Sequence, residues 1–435
     1  MRRTTALSSA VFLFLIAACS KTDASRDVVD ATGILDAPPF DAAGLHAMCD
    51  LPGSIQFTAA GVVTVPGGTG TSPDLSYLRV PSGFCVHYFG NVGNGRQLRF
   101  APGGELFVAS PTAGTTGGGS NGQAAIMVLP DDNGDGYADG NLVFAGGLPS
   151  TQGLLFAPGF FYFQDGTSIV RVPYGSGDRT PSGAREVVAN ITLYTSGLHW
   201  PKTLDMADDG TIYVGNGGDQ SETCDPARPF HGGILKIDGS AGGAPVAKGL
   251  RNPINVRCQR GHNQCFALEL AKDYSGGEGG REKLLPLRDG DDWGFPCCAT
   301  KDLPYGGLTP APNCGGIAAE SGAYLIGDTP FGLDFELGKW PAPWAGSALI
   351  ALHGVAGSWA GARVVAVAID PGTGLPMAGS DTQGQDTGAL SDFATGWSGT
   401  HANGRPSSVT FAADGRLFVA NDQNGDIVWI APLGM

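Results

Sequence analysis

A histidine lies in Gly197-Leu198-His199-Trp200-Pro201-Lys202-Thr203-Leu204-Asp205-Met206, and an acid, Asp219, follows it in Asn216-Gly217-Gly218-Asp219-Gln220. Between them stand an Asp-Gly turn and one apolar run, so the spacing predicts an imidazole and a carboxylate on either side of one strand pair. An imidazole with one nitrogen turned to a carboxylate is fixed in tautomer and made a stronger base, as proton removal from a hydroxyl requires. A lone histidine beside a tight turn is more often packed than catalytic, so the reading depends on its company. About thirty residues on, Gly249-Leu250-Arg251-Asn252-Pro253 closes another strand-like run. There Arg251 can pair bidentately with a carboxylate or quinone oxygen, and Asn252 offers both donors and acceptors.

A second constellation is Asp131-Asp132-Asn133-Gly134-Asp135-Gly136-Tyr137-Ala138-Asp139. Oxygen-bearing side chains alternate at Asp131, Asn133 and Asp135 before a glycine, the pattern of the first half of an EF-hand loop, although Leu142 stands where the closing glutamate would be. This predicts an isolated structural Ca²⁺ loop with Asp131, Asn133, Asp135 and Asp139 as ligands; the alternative is an Asx-rich turn without an ion.

Residues so far apart in sequence need a scaffold that gathers them. Glycine (70) and proline (30) break nearly every helical window, while 42% hydrophobic residues can still supply a core, so strands and tight turns are expected. A unit recurs: Ala101-Pro102-Gly103-Gly104-Glu105-Leu106-Phe107-Val108-Ala109, Ala207-Asp208-Asp209-Gly210-Thr211-Ile212-Tyr213-Val214-Gly215 and Ala412-Ala413-Asp414-Gly415-Arg416-Leu417-Phe418-Val419-Ala420. With weaker copies, Phe107, Phe161, Tyr213, Phe266, Ile350 and Phe418 become equivalent points separated by 54, 52, 53, 84 and 68 residues. A repeat of roughly 40 to 55 residues with strand-turn punctuation predicts an all-β, six-bladed β-propeller with four-stranded antiparallel blades. The long gaps predict insertions, chiefly Tyr274 to Leu325. A jelly roll or sandwich uses similar strands but would not repeat at this period.

Acids outnumber bases by 41 to 26, a formal charge of −15. Such a chain repels a nucleic-acid backbone, and no nucleic acid is expected as partner. At the amino end, Arg2 and Arg3 precede a short apolar run from Ala10 to Ala18, too short to span a bilayer. Leu15-Ile16-Ala17-Ala18-Cys19 resembles a lipobox, and Ser20 would favour outer-membrane sorting; an ordinary secretory signal is the alternative. The expected organisation is a signal peptide over 1–19, a tether over 20–74 and the propeller over 75–435, in an exported lipoprotein held at the cell envelope by lipid on Cys19. Eight cysteines remain, an even number, and in an oxidising compartment they should pair in one of about a hundred connectivities. Cys258 with Cys265 is the expected local bridge, and Cys297 and Cys298 should take separate partners, Cys314 among them. A zinc site is disfavoured, since no CxxC pair occurs and the histidines lack ligand spacing.

Taken in order, His199, Gly218-Asp219-Gln220, Arg251-Asn252-Pro253, Asp292-Trp293-Gly294-Phe295-Pro296, His353-Gly354 with Ser358-Trp359, and Gly404-Arg405-Pro406 resemble the PQQ-dependent glucose/sorbosone dehydrogenase family. Val80-Pro81-Ser82-Gly83-Phe84 is similar to that family's opening, and the likeness runs from Leu78 to Leu433. The resemblance implies a six-bladed propeller, in agreement with the repeat. It implies that His199 takes a proton from a sugar's anomeric hydroxyl with Asp219 orienting it, and that Arg251 stabilises charge on PQQ as hydride arrives. It further implies that Asn252, His353 and Arg405 contact the cofactor, and that Ca²⁺ polarises the quinone. Pro253, with the backbone carbonyls after it, and the carboxylates Glu269 and Glu282 are the positions for that ion. Two departures stand out: Arg281 precedes Glu282 where the family often has an acid, and Val355-Ala356-Gly357 displaces the family's lysine near His353. The expected function is oxidation of an aldose or related sugar, with electrons passed to a respiratory acceptor. The alternatives are a catalytically silent envelope propeller binding carbohydrate or protein, and a propeller hydrolase of lactonase type with Ca²⁺ in its channel.

Overall fold

A computed structural model of the chain describes residues 48–68, 72–113, 121–191, 199–218, 223–225, 232–272, 282–324, 329–354, 362–379, 390–399 and 402–434. The signal peptide, Cys19, Asp219, Arg281, Ser358 and Trp359 lie outside the described residues. Every regular element among the described residues is a strand. The chain opens with β1 (Ile55–Thr58), β2 (Gly61–Thr64) and β3 (Phe84–Asn91). Blade one is β4 (Leu98–Phe100), β5 (Leu106–Ser110), β6 (Ala125–Leu129) and β7 (Leu142–Gly146); blade two is β8 (Leu154–Ala157), β9 (Phe160–Asp165), β10 (Ser168–Pro173) and β11 (Glu186–Asn190). Blade three is β12 (Leu204–Met206), β13 (Ile212–Asn216), β14 (Gly233–Lys236) and β15 (Ala244–Lys248). Blade four is β16 (Asn252–Gln259), β17 (Gln264–Leu270), β18 (Glu282–Pro286) and, beyond the short pair β19 (Cys298–Thr300) and β20 (Leu303–Pro304), β21 (Gly322–Tyr324). Blade five is β22 (Pro330–Phe335), β23 (Ala348–Leu352), β24 (Arg363–Val367) and β25 (Leu390–Ala394). Blade six is β26 (Pro406–Phe411), β27 (Leu417–Asn421) and β28 (Asp426–Pro432), completed by β3.

All six repeat markers fall on the second strand of their blade, so the periodicity reports one structural position. The Asp-Gly and Gly-Gly turns that precede three of them share one geometry. Ala101, Ala207 and Ala412 each accept from the N–H of Gly104, Gly210 or Gly415 and donate to the carbonyl of the residue after that glycine, Glu105, Thr211 or Arg416, just before the strand begins. Those glycines sit at φ +95°, +86° and +98°, a region open to glycine without strain.

The ring closes where β3 pairs antiparallel with β28, from Phe84 opposite Pro432 to Asn91 opposite Asp426. β1 pairs with β3 and β2 with β1, which widens blade six to six strands, and Cys49 is bonded to Cys85. Packed structure therefore begins well before residue 75. Cys258 and Cys265 are directly opposed on β16 and β17 and are bonded, Cys298 joins Cys314, and Cys297 joins Cys224. The blade itself takes β18 and β21 from the expected insertion, which narrows to 287–321. That segment runs beside β15, with Asp292 bridged to Lys248 and the Phe295 N–H donating to the Gly249 carbonyl, and so climbs to the end of the ring where the inner strands begin.

The first strand of each blade is innermost. At the far ends of these strands a buried polar network crosses the axis. Arg257 (β16) contacts Asp205 (β12) at 3.2 Å and Asp334 (β22) at 2.7 Å, and Arg99 (β4) lies 3.7 Å from Asp205. Asp334 also accepts from Thr410 Oγ1 on β26 at 3.1 Å and from the Phe411 N–H at 2.8 Å. Burial alone would raise the Asp205 carboxyl, but Arg257, Arg99 and Arg260 outweigh it and hold it below its ordinary value. Higher in the channel Gln152 Nε2 reaches the Ile254 carbonyl at 3.4 Å, tying blade two to blade four.

Asp334→Ala removes an acceptor shared by three blades and leaves the largely buried Arg257 with Asp205 as its remaining acidic partner. Loss of one partner of a buried pair costs about 3–5 kcal/mol, whereas Asp392→Ala, which breaks a pair whose carboxylate is 63% exposed, should cost under about 1 kcal/mol. Urea unfolding of the two variants checks this; equal midpoints would contradict a structural role for the axial network.

Candidate active site

The near ends of the inner strands carry the residues singled out in the sequence. His199 precedes β12 and is buried, with Nδ1 2.9 Å from the Gly218 carbonyl. A carbonyl can only accept, so in the neutral ring the proton sits on Nδ1 and the lone pair on Nε2. The Gly218 N–H in turn donates to the Arg251 carbonyl at 2.7 Å, and the Arg251 N–H donates to Glu269 Oε1 at 2.8 Å. One glycine, Gly218, therefore links the histidine of blade three to the arginine of blade four through its N–H and its carbonyl. Gly217 is required here: a Cβ on it would come within 2.5 Å of His199 Cβ and 3.1 Å of Asn252 Oδ1. The Arg251 backbone and the Asn252 side chain thus come up beside His199. The described partner of the His199 Nδ1–H is a carbonyl, and Asp219 falls just beyond the described residues.

Across the axis a second group forms from blades five, six and one. Asp422, after β27, accepts from His353 Nε2 at 2.6 Å and from Arg405 through Nε at 2.8 Å and Nη2 at 3.2 Å, and Arg96 lies 3.4 Å away. His353 stacks on Phe331 at 4.3 Å, with the Arg96 guanidinium over the same ring at 5.0 Å. Burial, followed by Arg405, pushes the His353 imidazole well below its ordinary value against the pull of Asp422. Burial opposes the Asp422 charge, and His353, Arg96 and Arg405 together outweigh it, so this carboxyl stays ionised. His353 and Arg405 do meet, but the Arg405 fork is engaged by Asp422 rather than presented alone.

Four buried polar side chains at this end of the ring escaped the sequence reading. Arg96 and Asp422 belong to the second group, and their only sequence signal is a charged residue abutting a strand start or end. Lys202 and Asn216 stand directly opposite each other in the register of β12 and β13, and Lys202 Nζ donates to Asn216 Oδ1 at 2.8 Å. Lys202 is fully buried, and burial lowers its amine to about 7. A polar belt lines the same level, where Gln97 Nε2, Thr151 Oγ1, Gln152 Oε1, Thr203 Oγ1 and Asn252 Oδ1 are buried without a hydrogen-bond partner. Buried polar atoms without a protein partner are available to a polar guest.

The metal assignments fare differently. Glu269 is not available as a calcium ligand, because Lys283 pairs with one oxygen and the Arg251 N–H occupies the other. Its buried carboxylate instead holds Arg251 in place. Pro253 turns its carbonyl toward Gly215, near Thr203, and Glu282 is buried at the start of β18. The Asp131–Asp139 loop joins β6 to β7 at the opposite end of the ring. Asn133 Nδ2 donates to Asp139 Oδ1 at 2.9 Å and to Asp135 Oδ2 at 3.2 Å, while Asp139 Oδ2 takes the Asp132 N–H. Asp131 faces Arg416 at 3.8 Å, and burial raises its carboxyl. The loop has the form of an Asx-rich turn, and among the described residues no cluster of three or more acid, histidine or cysteine side chains is arranged to hold a metal ion.

No family model and no curated protein matches the chain. Solved structures do. A Trichoderma reesei enzyme of carbohydrate-active enzyme family AA12, solved with calcium, aligns with a TM-score of 0.67 at 17% identity over 84% of this chain and 100% of its own. The PQQ domain of a pyranose dehydrogenase from Coprinopsis cinerea, in its holo form, gives 0.62 at 18% identity over 83% and 99%. A PQQ-bound aldose sugar dehydrogenase from Streptomyces coelicolor gives 0.53 at 16% identity over 81% and 99%. At these identities the likeness establishes a shared fold, a six-bladed propeller over nearly the whole length of each relative.

Lys202 titrates near 7 in the folded chain and at its ordinary 10.5 when unfolded. Between those values the unfolded chain holds more protons, so this residue's contribution to stability rises with pH across the window and is lost as pH falls through about 7. Relative to Lys202→Met, the unsubstituted chain should therefore gain unfolding free energy from pH 7 to 10. Parallel urea midpoints at every pH would mean that the amine is not held down by burial.

Proposed function

We propose that this propeller is a quinoprotein dehydrogenase that oxidises an aldose or related sugar. The observation that carries the reading is the approach of the Arg251 backbone and the Asn252 side chain to His199 at the channel mouth, opposite the Arg96–Arg405–His353 group, on a fold shared with PQQ-binding sugar dehydrogenases. The donor set suits PQQ, a flat tricarboxylate quinone: two guanidinium groups stand at the Asp422 side, Arg251 and Asn252 belong to the other, and buried amide and hydroxyl atoms lack partners. Arg96 and Arg405 would hold it on one side, Arg251 and Asn252 on the other. Calcium at Glu269 does not suit the residues present, and no step is assigned to it.

When bound, PQQ supplies an acceptor for the hydride that leaves the sugar carbon. His199 receives the hydroxyl proton at Nε2, so the two electrons depart with the hydride and a carbonyl forms on the sugar. The Gly218 carbonyl keeps the Nδ1 proton in place and steadies the imidazolium that results. Arg251, fixed through its own N–H by Glu269, offers positive charge to the oxygen that becomes anionic, the kind of preorganised term that usually dominates such reactions. The same reading places the chain in the cell envelope, lipid-modified at Cys19 and passing electrons to a respiratory acceptor. Pairing of all eight remaining cysteines supports an oxidising compartment.

Reconstitution of the purified chain with PQQ, with and without Ca²⁺, followed by dye-linked oxidation of a sugar panel, tests this. His199→Ala is expected to lower turnover by roughly 10²–10⁴-fold while leaving PQQ affinity nearly unchanged. Unaltered turnover in that variant removes His199 as the base. Failure of every sugar to reduce the dye, with PQQ bound, leaves a binding propeller instead.

A further inference from the structure

Lys202 differs from every other fully buried cation among the described residues. Arg96 and Arg405 lie against Asp422, Arg99 against Asp205, Lys283 against Glu269 and Arg416 against Asp414. Among the described residues Lys202 has no carboxylate partner. Its ammonium has three donors and spends one on the neutral carboxamide of Asn216. A charge left so in a protein interior is costly unless something supplies the missing anion.

The described residues around it are uncharged. Lys202 and Asn216 continue the face of Leu204 and Val214, which packs on Leu155 and Ile169 of blade two. From blade two come Thr151, Gln152 and Gln164: Gln164 Oε1 accepts from both the Lys202 and Gln152 N–H groups, at 2.9 and 3.1 Å, so the two residues are neighbours across the blade boundary. Thr151 Oγ1 and Gln152 Oε1 are themselves buried and unpartnered. His199, earlier on the same segment, packs against Gly217 on the other face of the sheet. Burial without any charged neighbour is the sole cause acting on the amine.

We propose that Lys202 is a ligand-binding residue of the channel mouth, contributed by the boundary of blades two and three, and that it pairs with a carboxylate of the quinone cofactor. This rests on the dehydrogenase reading. It gives the site three cationic sectors, at Arg251, at Arg96 with Arg405, and at Lys202, around one axis. Because the amine is held near neutrality without ligand, an arriving carboxylate favours its ammonium form, and binding above pH 7 takes up a proton.

Calorimetric titration of the metal-supplemented apo-protein with PQQ, from pH 6 to pH 9 in buffers of different ionisation heat, decides it. The unsubstituted chain should lose affinity by about tenfold or more over that range and take up a proton near pH 8. Lys202→Met should bind roughly tenfold or more weakly at pH 6, without that uptake, and approach the unsubstituted chain at pH 9. Lys202→Arg should keep the affinity seen at pH 6 and lose the slope. Equal affinity and equal proton uptake in the Met variant overturn the assignment of Lys202 and leave the dehydrogenase reading standing, whereas absence of PQQ binding by the unsubstituted chain at every pH overturns both. If the Met variant does not fold, retention of the pH slope by Lys202→Arg is the overturning result.

Discussion

Five of the six inner strands are held to one another by two buried carboxylates. Asp205 and Asp334 share Arg257, and through Arg99 and Thr410 they draw in blades one and six. A propeller blade packs mainly on its two neighbours, so nothing in nearest-neighbour packing alone fixes the radius of the ring. Contacts across the axis do. Pairs of this kind are expensive to desolvate and seldom increase stability over an apolar filling, yet they are severe when half broken. Their position therefore speaks for specificity: they set how far apart the opposite ends of the inner strands lie, and the site is made of those ends.

That constraint explains the division of the mouth into sectors. His199, Arg251 and Asn252 belong to adjacent blades and are joined through Gly218, so they move as one unit. The Asp422 group is built from blades five, six and one and is rigid for a different reason, since one carboxylate organises a histidine and two guanidinium groups. Neither group touches the other directly in the hydrogen bonds described. Their separation is fixed by the ring and its closure through β3 and β28, which makes the distance across the mouth a property of the whole fold.

The parts of this arrangement that are local in sequence were legible. The Asp-Gly turns announce themselves because only glycine accepts their backbone angles, and a repeat of such turns gives the blade count and the second strand of every blade. The Cys258–Cys265 bridge follows from a hairpin for the same reason. The partners of the charged residues were not legible, because each joins strands far apart in the chain. Glu269 reads as a free acid until the register of β17 and β18 sets Lys283 opposite it. Arg405 reads as a free guanidinium until β27 brings Asp422 within reach. Lys202 is the instructive case: next to a proline and a threonine it looks like a solvated lysine, and only the stacking of blade two on blade three buries it.

A formal charge of −15 sits oddly with a ring end that buries arginine and lysine until the location of the charges is considered. Exposed acids such as Asp132, Glu186 and Asp392 lie on outer strands and far-end loops, where salt of about 0.15 M confines their field to roughly 8 Å. The cations at the mouth are buried, and water does not weaken their fields to the same degree. A neutral sugar approaching this surface feels neither set strongly, but a tricarboxylate is repelled by the periphery and held at the centre. On the dehydrogenase reading, entry of an anionic cofactor would be sensitive to ionic strength, and its retention, governed by the buried groups, would be less so. If that reading holds, the charge distribution suits a cofactor that stays bound while uncharged substrates exchange.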